Sequence, residues 1–281
     1  MPCINFNGNI VPSNTPVIEA SNRGLRYGDG LFETMKWCNN SLAHVKDHTA
    51  RLFKGLRTLD FFLPPHFTPE YLTHEIIKLV KNEKLSNARV RVTVIRGSGS
   101  IFNDGDQLPT FIIEATELSN NSNSAEKYGV KLGIYKEARK TVDMLSPLKH
   151  NNYLPYCMAA MYARKNGFDD AIILNQYGRI CETSIANIFF IDKKTIFTPS
   201  LKEGCIEGII RKNLIETLPA LGFKIIETEL RLEMIGSMDA AFITNSIINL
   251  KAVSGVGEKP LDVDPVLILK ELIERKTQLF C

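Results

Sequence analysis

The sequence predicts a mixed α/β protein of two domains, and two observations lead to this fold class. Stretches with strand and helix periodicity follow one another without the regular strand–helix–strand order of a doubly wound sheet, which favours an α+β or mixed-sheet architecture. The composition changes once, at residues 119–124, where serine and asparagine alone cannot form a core. We therefore expect a small N-terminal α/β domain at residues 1–118, a linker at 119–125 and a larger mixed-sheet domain at 126–281.

The N-terminal part predicts a hairpin and then a helix. Apolar residues at 31–37 and 42–45 flank the polar residues 39–41, which is typical of two strands joined by a turn. Asp47 stands where a helix N-cap is expected, ahead of a periodic stretch at residues 50–59.

A second helix and two strands complete this part. Thr68 precedes Pro69, and proline is favoured in the first helical turn, so a helix is predicted to begin here. Residues 89–95 alternate between polar and apolar, and residues 110–115 are mostly apolar, as expected for strands of a sheet.

The C-terminal part mixes strands and helices. Helices are predicted near residues 153–166 and 208–220 and from about Asp264 onwards. Strands are predicted at residues 130–135, 171–175, 188–191, 224–227 and 240–244.

Composition narrows the class of protein. The 281 residues are 44% hydrophobic and 23% charged, which is close to the globular average. A net charge of +3 without a basic run does not indicate nucleic-acid binding. The six cysteines include no C-x-x-C pair, and neither a signal peptide nor a stretch of about 20 apolar residues is present. We expect reduced thiols and a cytoplasmic protein that does not bind membranes.

Several kinds of site are disfavoured by missing motifs. The five histidines form no metal-binding cluster, so we predict no metal, and no phosphate-binding glycine motif is present. Ser146 and Lys149 match the S-x-x-K pattern of serine acyl enzymes, but the companion motifs are absent and Pro147 is unsuited to the helix that carries such a pair. A serine acyl enzyme stays the rival enzyme class.

Four features indicate a different chemistry when they are taken together. Lys149 has apolar and amide-rich neighbours, and partial burial would make its amine nucleophilic towards a carbonyl; a lone lysine is otherwise a solvated charge. Residues 204–211 place a glycine at a helix start, where free N–H groups can bind a phosphate, although a glycine there can simply start a helix. Glu182 and Arg51 would otherwise be surface charges.

These features resemble the class IV aminotransferase family, the fold-type IV pyridoxal-phosphate enzymes. That family contains branched-chain aminotransferases, D-amino-acid aminotransferases and aminodeoxychorismate lyases. The resemblance covers nearly the whole chain, and its segments occur in the family's order: residues 23–34, 48–52, 149–153, 170–182 with 187–189, and 208–211.

The resemblance implies pyridoxal 5'-phosphate as cofactor, bound in the crevice between the two domains. Lys149 matches the lysine that carries this cofactor as a Schiff base and then moves the substrate's α-proton. Glu182 matches the acid that faces the pyridine nitrogen and keeps it protonated. Arg51 matches the arginine that pairs with the phosphate.

Further cofactor contacts follow from the same resemblance. The backbone N–H groups of Ile209 and Ile210, next to Gly208, match the phosphate-binding helix start. Thr244 matches a hydroxyl that contacts the phosphate. Tyr153 matches a tyrosine near the cofactor's phenolic oxygen in branched-chain members.

The subfamily is divided between two alternatives. Arg96 lies where lyases and D-amino-acid enzymes can bind a substrate carboxylate, and residues 27–34, with Tyr27 and Thr34 as substrate contacts, are common to both groups. Because Tyr153 favours the branched-chain group, we predict an aminotransferase for amino acids and 2-oxo acids. The alternative is 4-amino-4-deoxychorismate lyase, which releases pyruvate and 4-aminobenzoate. A homodimer is expected from the resemblance.

Overall fold

The computed structural model describes residues 1–102, 107–119 and 128–280, so residues 120–125 of the expected linker lie outside the described part. The chain forms two compact units. The first unit contains Met1–Ser119 and the short segment Leu148–Asn152, and the second contains Asn120–Pro147 and Tyr153–Cys281. Lys149 therefore belongs to the first unit, whereas we had expected it in the C-terminal domain.

An antiparallel six-stranded sheet is the centre of the first unit. Its strands are β1 (Cys3–Phe6), β2 (Asn9–Pro12), β3 (Gly30–Cys38), β4 (Ser41–Leu42), β5 (Ala88–Arg96) and β6 (Pro109–Glu117). Their spatial order is β2-β1-β6-β5-β3-β4. The three long strands contain the predicted segments 31–37, 89–95 and 110–115. The first hairpin was not predicted, although Asn7 and Gly8 turn with positive φ angles of 48° and 88°, as an Asn-Gly turn allows.

Three helices belong to this unit: α1 (Arg23–Tyr27), α2 (Val45–Thr58) and α3 (Pro69–Asn82). The start of α3 is confirmed, since the Thr68 side chain accepts a hydrogen bond from the Tyr71 N–H. The predicted strand at 42–45 is wrong beyond Leu42. His44 adopts a left-handed conformation with φ 51°, so α2 begins at Val45 and Asp47 lies in its first turn instead of capping it.

The hydrophobic core of the first unit lies between the sheet and the helices α2 and α3. Leu31 and Met35 of β3 pack with Leu52 of α2 and Ile76 of α3, and all four are buried. Since alternate residues of a strand share a face, Glu33 also points towards this helix-covered side of β3.

A mixed nine-stranded sheet forms the second unit, which confirms the predicted fold class. The strands are β7 (Val130–Lys140), β8 (Asp170–Asn175), β9 (Ile180–Thr183), β10 (Asn187–Asp192), β11 (Thr195–Pro199), β12 (Lys224–Thr228), β13 (Ala240–Asn245), β14 (Asn249–Val256) and β15 (Lys259–Pro260). Strand β14 pairs parallel to β7, β7 parallel to β8 and β11 parallel to β12, whereas the remaining pairs are antiparallel.

The helices of the second unit are α4 (Leu154–Lys165), α5 (Ile209–Thr217) and α6 (Asp264–Lys276). All three lie where helices were predicted. Among the described helices, none combines the length and the apolar character that a membrane span requires.

The cysteines depart in one respect from the expectation. Cys3, Cys157, Cys181 and Cys205 are free thiols. Cys38 is disulfide-bonded, so the expectation of reduced thiols is wrong for this residue.

Candidate active site

In the first unit, the backbone around Lys149 is held against strand β3. The Phe32 N–H donates to the Lys149 carbonyl at 2.9 Å, and the Asn151 N–H donates to the Gly30 carbonyl at 3.0 Å. Leu31 and His150 form an isolated antiparallel bridge between these two bonds. The main chain of Lys149 therefore has a defined position, although the segment is not a regular strand.

The Lys149 side chain is half-buried and lines a small pocket. Its Nζ atom lies 4.5 Å from the centre of the Phe32 ring. The pocket is lined by Leu31, Phe32, Glu33, Arg51, Leu52, Gly55, Leu148 and Lys149. Lys149 is thus partly buried beside apolar and charged side chains, and its role as a nucleophile stays a prediction.

Arg51 is held by a carboxylate that the sequence analysis did not select. The Arg51 Nε donates to Glu33 Oε1 at 2.8 Å, and a terminal nitrogen donates to Oε2 at 2.5 Å. His48, three residues before Arg51 on α2, has its Nδ1 atom 2.7 Å from Oε2. Glu33 is thus buried beneath one face of α2 with two partners from that helix.

Glu33 and His48 are both buried, but burial decides the direction of the pKa shift only for His48. Burial opposes ionisation of Glu33, but the charges and hydrogen bonds of Arg51 and His48 outweigh it and lower the pKa of Glu33 to about 2. Burial lowers the pKa of His48 despite the attraction of Glu33. Glu33 is therefore an anion at neutral pH, and it neutralises the Arg51 guanidinium.

Tyr27 and Thr34, which were predicted as substrate contacts, are not among the residues that line this pocket. Tyr27 ends α1 with 38% of its surface exposed, and Thr34 is half-buried on β3 opposite Arg91. The Arg91 guanidinium carbon lies 3.8 Å from the centre of the Phe32 ring, a contact that sequence reasoning missed.

Arg96 is buried and its guanidinium contacts groups of the protein itself. Its Nε donates to Asp29 Oδ2 at 3.0 Å, and its terminal nitrogens donate to Gln107 and to the carbonyls of Leu59 and Asp60. The guanidinium also lies over the Phe61 ring. These contacts indicate a structural role and do not support the expected binding of a substrate carboxylate.

In the second unit, Glu182 is a buried carboxylate with several donors around it. Oε1 accepts hydrogen bonds from Lys140 Nζ and from the Tyr156 hydroxyl, both at 2.6 Å. The Ile206 N–H lies 3.2 Å from Oε1 and 3.1 Å from Oε2, and Asn187 Nδ2 lies 3.4 Å from Oε2. Neither Lys140 nor Tyr156 was selected from the sequence, because each is far from Glu182 along the chain.

The contacts with Glu182 also shift the pKa values of Lys140 and Tyr156. Burial acts to lower the pKa of Lys140, but the adjacent Glu182 charge outweighs it and the pKa is raised. Burial and the Glu182 charge both raise the pKa of Tyr156 well above its usual value. Lys140 is therefore a cation at neutral pH, and Tyr156 retains its proton to donate to Glu182.

The start of α5 presents backbone N–H groups that make no bond within the helix. The first backbone bond of the helix runs from the Lys212 N–H to the Gly208 carbonyl, so the N–H groups of Ile209 and Ile210 have no acceptor within the helix. No side chain caps this end. A Cβ atom on Gly208 would lie only 1.9 Å from Asn187 Oδ1, so only glycine fits here without a shift of its neighbour.

Two more predicted residues lie in the second unit. Thr244 of β13 pairs directly with Asn187 of β10, and its buried hydroxyl has no hydrogen-bond partner among the residues that the structure describes. A buried polar group without a partner is unfavourable in a native protein, which makes this hydroxyl a candidate for binding a ligand. The Tyr153 ring stacks on the Tyr156 ring at a centroid distance of 4.1 Å.

The rival S-x-x-K interpretation is not supported by the contacts of Ser146. Ser146 is 2% exposed, and its hydroxyl donates to the Thr141 carbonyl at 2.9 Å. It also lies 2.9 Å from Asp143 Oδ1 and accepts from the Asp143 N–H. These bonds close a turn and bury the oxygen that would have to react.

Comparison with known proteins identifies the family. The class IV amino-transferase family model matches residues 30–256. A Rickettsia felis protein named as a probable branched-chain-amino-acid aminotransferase is 28% identical over 264 residues, which cover 92% of this chain and 89% of that protein. The aminodeoxychorismate lyase of Vibrio harveyi is 26% identical and covers 88% of this chain and 90% of its own.

A solved structure has the same fold. The branched-chain amino acid aminotransferase of Escherichia coli superimposes with a TM-score of 0.85, covering 100% of this chain and 96% of that chain at 22% identity. Since the family model spans most of the sequence, this chain belongs to the class IV aminotransferase family and is an enzyme of that family.

Proposed function

We propose that this enzyme is a pyridoxal-phosphate-dependent aminotransferase that transfers an amino group between amino acids and 2-oxo acids. The observation that carries the proposal is the setting of Lys149, whose main chain is fixed against β3 while its amine lines a pocket beside Phe32. A lysine of this kind can bond to an aldehyde and later carry a proton to and from a substrate carbon.

The residues present fit the cofactor on structural grounds. Thr244 offers a buried hydroxyl without a partner, the first turn of α5 offers free N–H groups, and Gly208 allows close approach to them. These are the groups that a phosphate ester needs. When bound, pyridoxal phosphate supplies an aldehyde for the amine and an aromatic ring that withdraws electrons from the substrate carbon.

Within this proposal each of the predicted residues has a defined role. Lys149 holds the cofactor covalently and transfers the proton, and Glu182 keeps a proton on the ring nitrogen through its negative charge. Arg51, the first turn of α5 and Thr244 hold the phosphate, and Tyr153 contacts the ring hydroxyl.

We also propose a homodimer. On α4, Leu154, Met158 and Met161 are spaced at helical intervals of four and three residues and are 76%, 45% and 53% exposed. An apolar helical face of this kind is suited to burial against a second copy of the chain. Sedimentation equilibrium tests the assembly, and a monomer at micromolar concentration would contradict it.

The test of the cofactor proposal is spectroscopic. Purified protein incubated with pyridoxal phosphate is expected to become yellow, and borohydride is expected to bleach the band and attach the cofactor to Lys149. The Lys149→Ala variant should lose the band, whereas Lys136→Ala, an exposed lysine of β7, should keep it. Uptake of no cofactor by the wild-type protein would refute the proposal.

The reaction is tested by a paired assay, because relatives of both activities match this chain to a similar extent. One arm offers L- and D-amino acids with 2-oxoglutarate and measures transamination. The other arm offers 4-amino-4-deoxychorismate and measures 4-aminobenzoate and pyruvate. Formation of 4-aminobenzoate without transamination would replace the aminotransferase proposal by the lyase.

A further inference from the structure

The two oxygens of the Glu182 carboxylate are bound unequally. Oε1 accepts the two short bonds from Lys140 Nζ and the Tyr156 hydroxyl, both at 2.6 Å. Within the described ranges of the chain, Oε2 is approached by the shared Ile206 N–H at 3.1 Å and, at 3.4 Å, by Asn187 Nδ2. A carboxylate oxygen can accept more than one hydrogen bond, so Oε2 keeps capacity for a further donor.

Lys140 reaches this position through an irregularity of its strand. The parallel pairing of β7 with β8 shifts register between Tyr135 and Lys140, and Lys140 then pairs with Asn175. Lys136 on the same strand is exposed, whereas Lys140 is 5% exposed. Irregular pairing of this kind redirects a side chain, and here the redirected side chain is an ammonium group buried beside Glu182.

The ammonium of Lys140 and the carboxylate of Glu182 are both buried and form an ion pair. A buried carboxylate without a nearby cation takes up a proton, because the charged form loses the solvation of water. The Lys140 ammonium lies 2.6 Å from Oε1, and burial together with the Glu182 charge raises the pKa of Tyr156, so that its hydroxyl keeps its proton and donates. Lys140 therefore supplies a positive charge and Tyr156 a hydrogen bond, both at Oε1.

We propose that Lys140 is a positioning residue that acts through Glu182. It keeps Glu182 ionised before any cofactor binds and, together with Tyr156, holds Oε1 so that Oε2 is presented to a protonated ring nitrogen. This inference rests on the proposed function in its last step only. The charge state of Glu182 can be measured in the cofactor-free protein, independently of that last step.

The first experiment is infrared spectroscopy of the cofactor-free protein at neutral pH. Lys140→Met removes the charge, Lys140→Gln keeps a hydrogen-bond donor without charge, and Lys140→Arg keeps the charge. We expect the carbonyl stretch of a protonated carboxylic acid in the first two variants and its loss when Glu182→Gln is added. The wild type, Lys140→Arg and the exposed control Lys136→Met should not show the band.

The second experiment measures the affinity of the same proteins for pyridoxal phosphate. Removal of the charge should weaken binding by about tenfold or more, since the ring nitrogen then meets a neutral acid. Lys140→Arg should remain within about threefold of the wild type, as a conservative substitution that preserves the charge. A merely structural salt bridge would affect stability in these variants without producing the infrared band.

The outcomes are distinguishable. Absence of the band in both Lys140→Met and Lys140→Gln, or wild-type affinity in a variant that shows it, would overturn the inference. If Lys140→Met does not fold, Lys140→Gln decides. Failure of the wild-type protein to bind pyridoxal phosphate would refute the proposed function, whereas the infrared result would still report whether Lys140 keeps Glu182 ionised.

Discussion

Glu33 accepts two hydrogen bonds from the guanidinium of Arg51, at 2.8 and 2.5 Å, in a site where Glu33 itself is 1% exposed. This contact uses the Nε edge of Arg51 and fixes the plane of the guanidinium. A phosphate would therefore have to meet the other edge. Glu33 thus determines how Arg51 can be used, although it was not among the residues selected from the sequence.

The first prediction concerns acid stability. The lowering of the Glu33 pKa from 4.5 to about 2 corresponds to about 3 kcal/mol of stability. Because the folded-state pKa is depressed, this contribution is present above pH 4.5 and is lost as the pH falls towards 2. Urea unfolding of the wild type should follow this loss, and Glu33→Gln should be less stable at pH 7 and lack it. Glu114→Gln, an exposed residue of β6, should behave as the wild type.

The second prediction separates stability from binding at Thr244. Its buried hydroxyl has no partner, so Thr244→Val should leave the free energy of unfolding unchanged or raise it by up to about 1 kcal/mol. The same change should weaken pyridoxal-phosphate binding by about tenfold, through loss of a hydrogen bond to a charged group. Calorimetric melting and a binding titration measure the two effects.

A matched threonine provides the control. Thr198 is equally buried, but its hydroxyl donates to the Ile188 carbonyl at 2.9 Å. Thr198→Val should therefore destabilise the protein by about 1–2 kcal/mol and leave cofactor affinity unchanged. If Thr244→Val destabilised the protein as much as Thr198→Val, the hydroxyl of Thr244 would have a structural partner and no special availability to a ligand.

Local sequence patterns predicted most of the regular elements. The alternation in β5 and the Thr68–Pro69 start of α3 depend on neighbours along the chain, and both were found from them. The start of α2 was predicted wrongly, because His44 takes a left-handed conformation that no glycine or asparagine signals.

The candidate site was predictable only where a family pattern marks the residue. Lys149, Glu182 and Gly208 were selected in this way. Lys140 lies 42 residues from Glu182, and the two meet because β7 pairs parallel with β8, which in turn pairs antiparallel with β9, the strand of Glu182. The residues next to Lys140 in the sequence do not indicate that contact. The burial of Lys140 could therefore not be inferred from the sequence.

The third prediction tests the start of α5. Alanine at position 208 would place a Cβ atom 1.9 Å from Asn187 Oδ1, and either the amide or the helix start must move. Gly208→Ala should destabilise the protein by about 1–3 kcal/mol, as overpacking does, and weaken pyridoxal-phosphate binding. Comparison with pyridoxal, which lacks the phosphate, should show little change in affinity. Gly236→Ala, where a Cβ atom meets nothing within 4 Å, is the control and should bind both compounds as the wild type does.

The fourth prediction decides between two roles of Arg96. Its contacts to Asp29, Gln107 and the carbonyl of Leu59 assign it to holding the first unit together. Arg96→Met should then lower the free energy of unfolding by about 1–3 kcal/mol, since it removes a buried guanidinium and its hydrogen bonds to Asp29, Gln107 and the carbonyl of Leu59.

Arg96→Lys should recover part of that stability, because a lysine keeps the charge but cannot reproduce the planar set of donors. Arg89→Met, an exposed arginine on the same strand, should change stability by less than about 0.5 kcal/mol. Urea unfolding measures these differences in stability. Steady-state kinetics of Arg96→Lys tests the alternative, in which Arg96 binds substrate. A large rise in KM for a carboxylate substrate at wild-type stability would restore Arg96 as a substrate-binding residue.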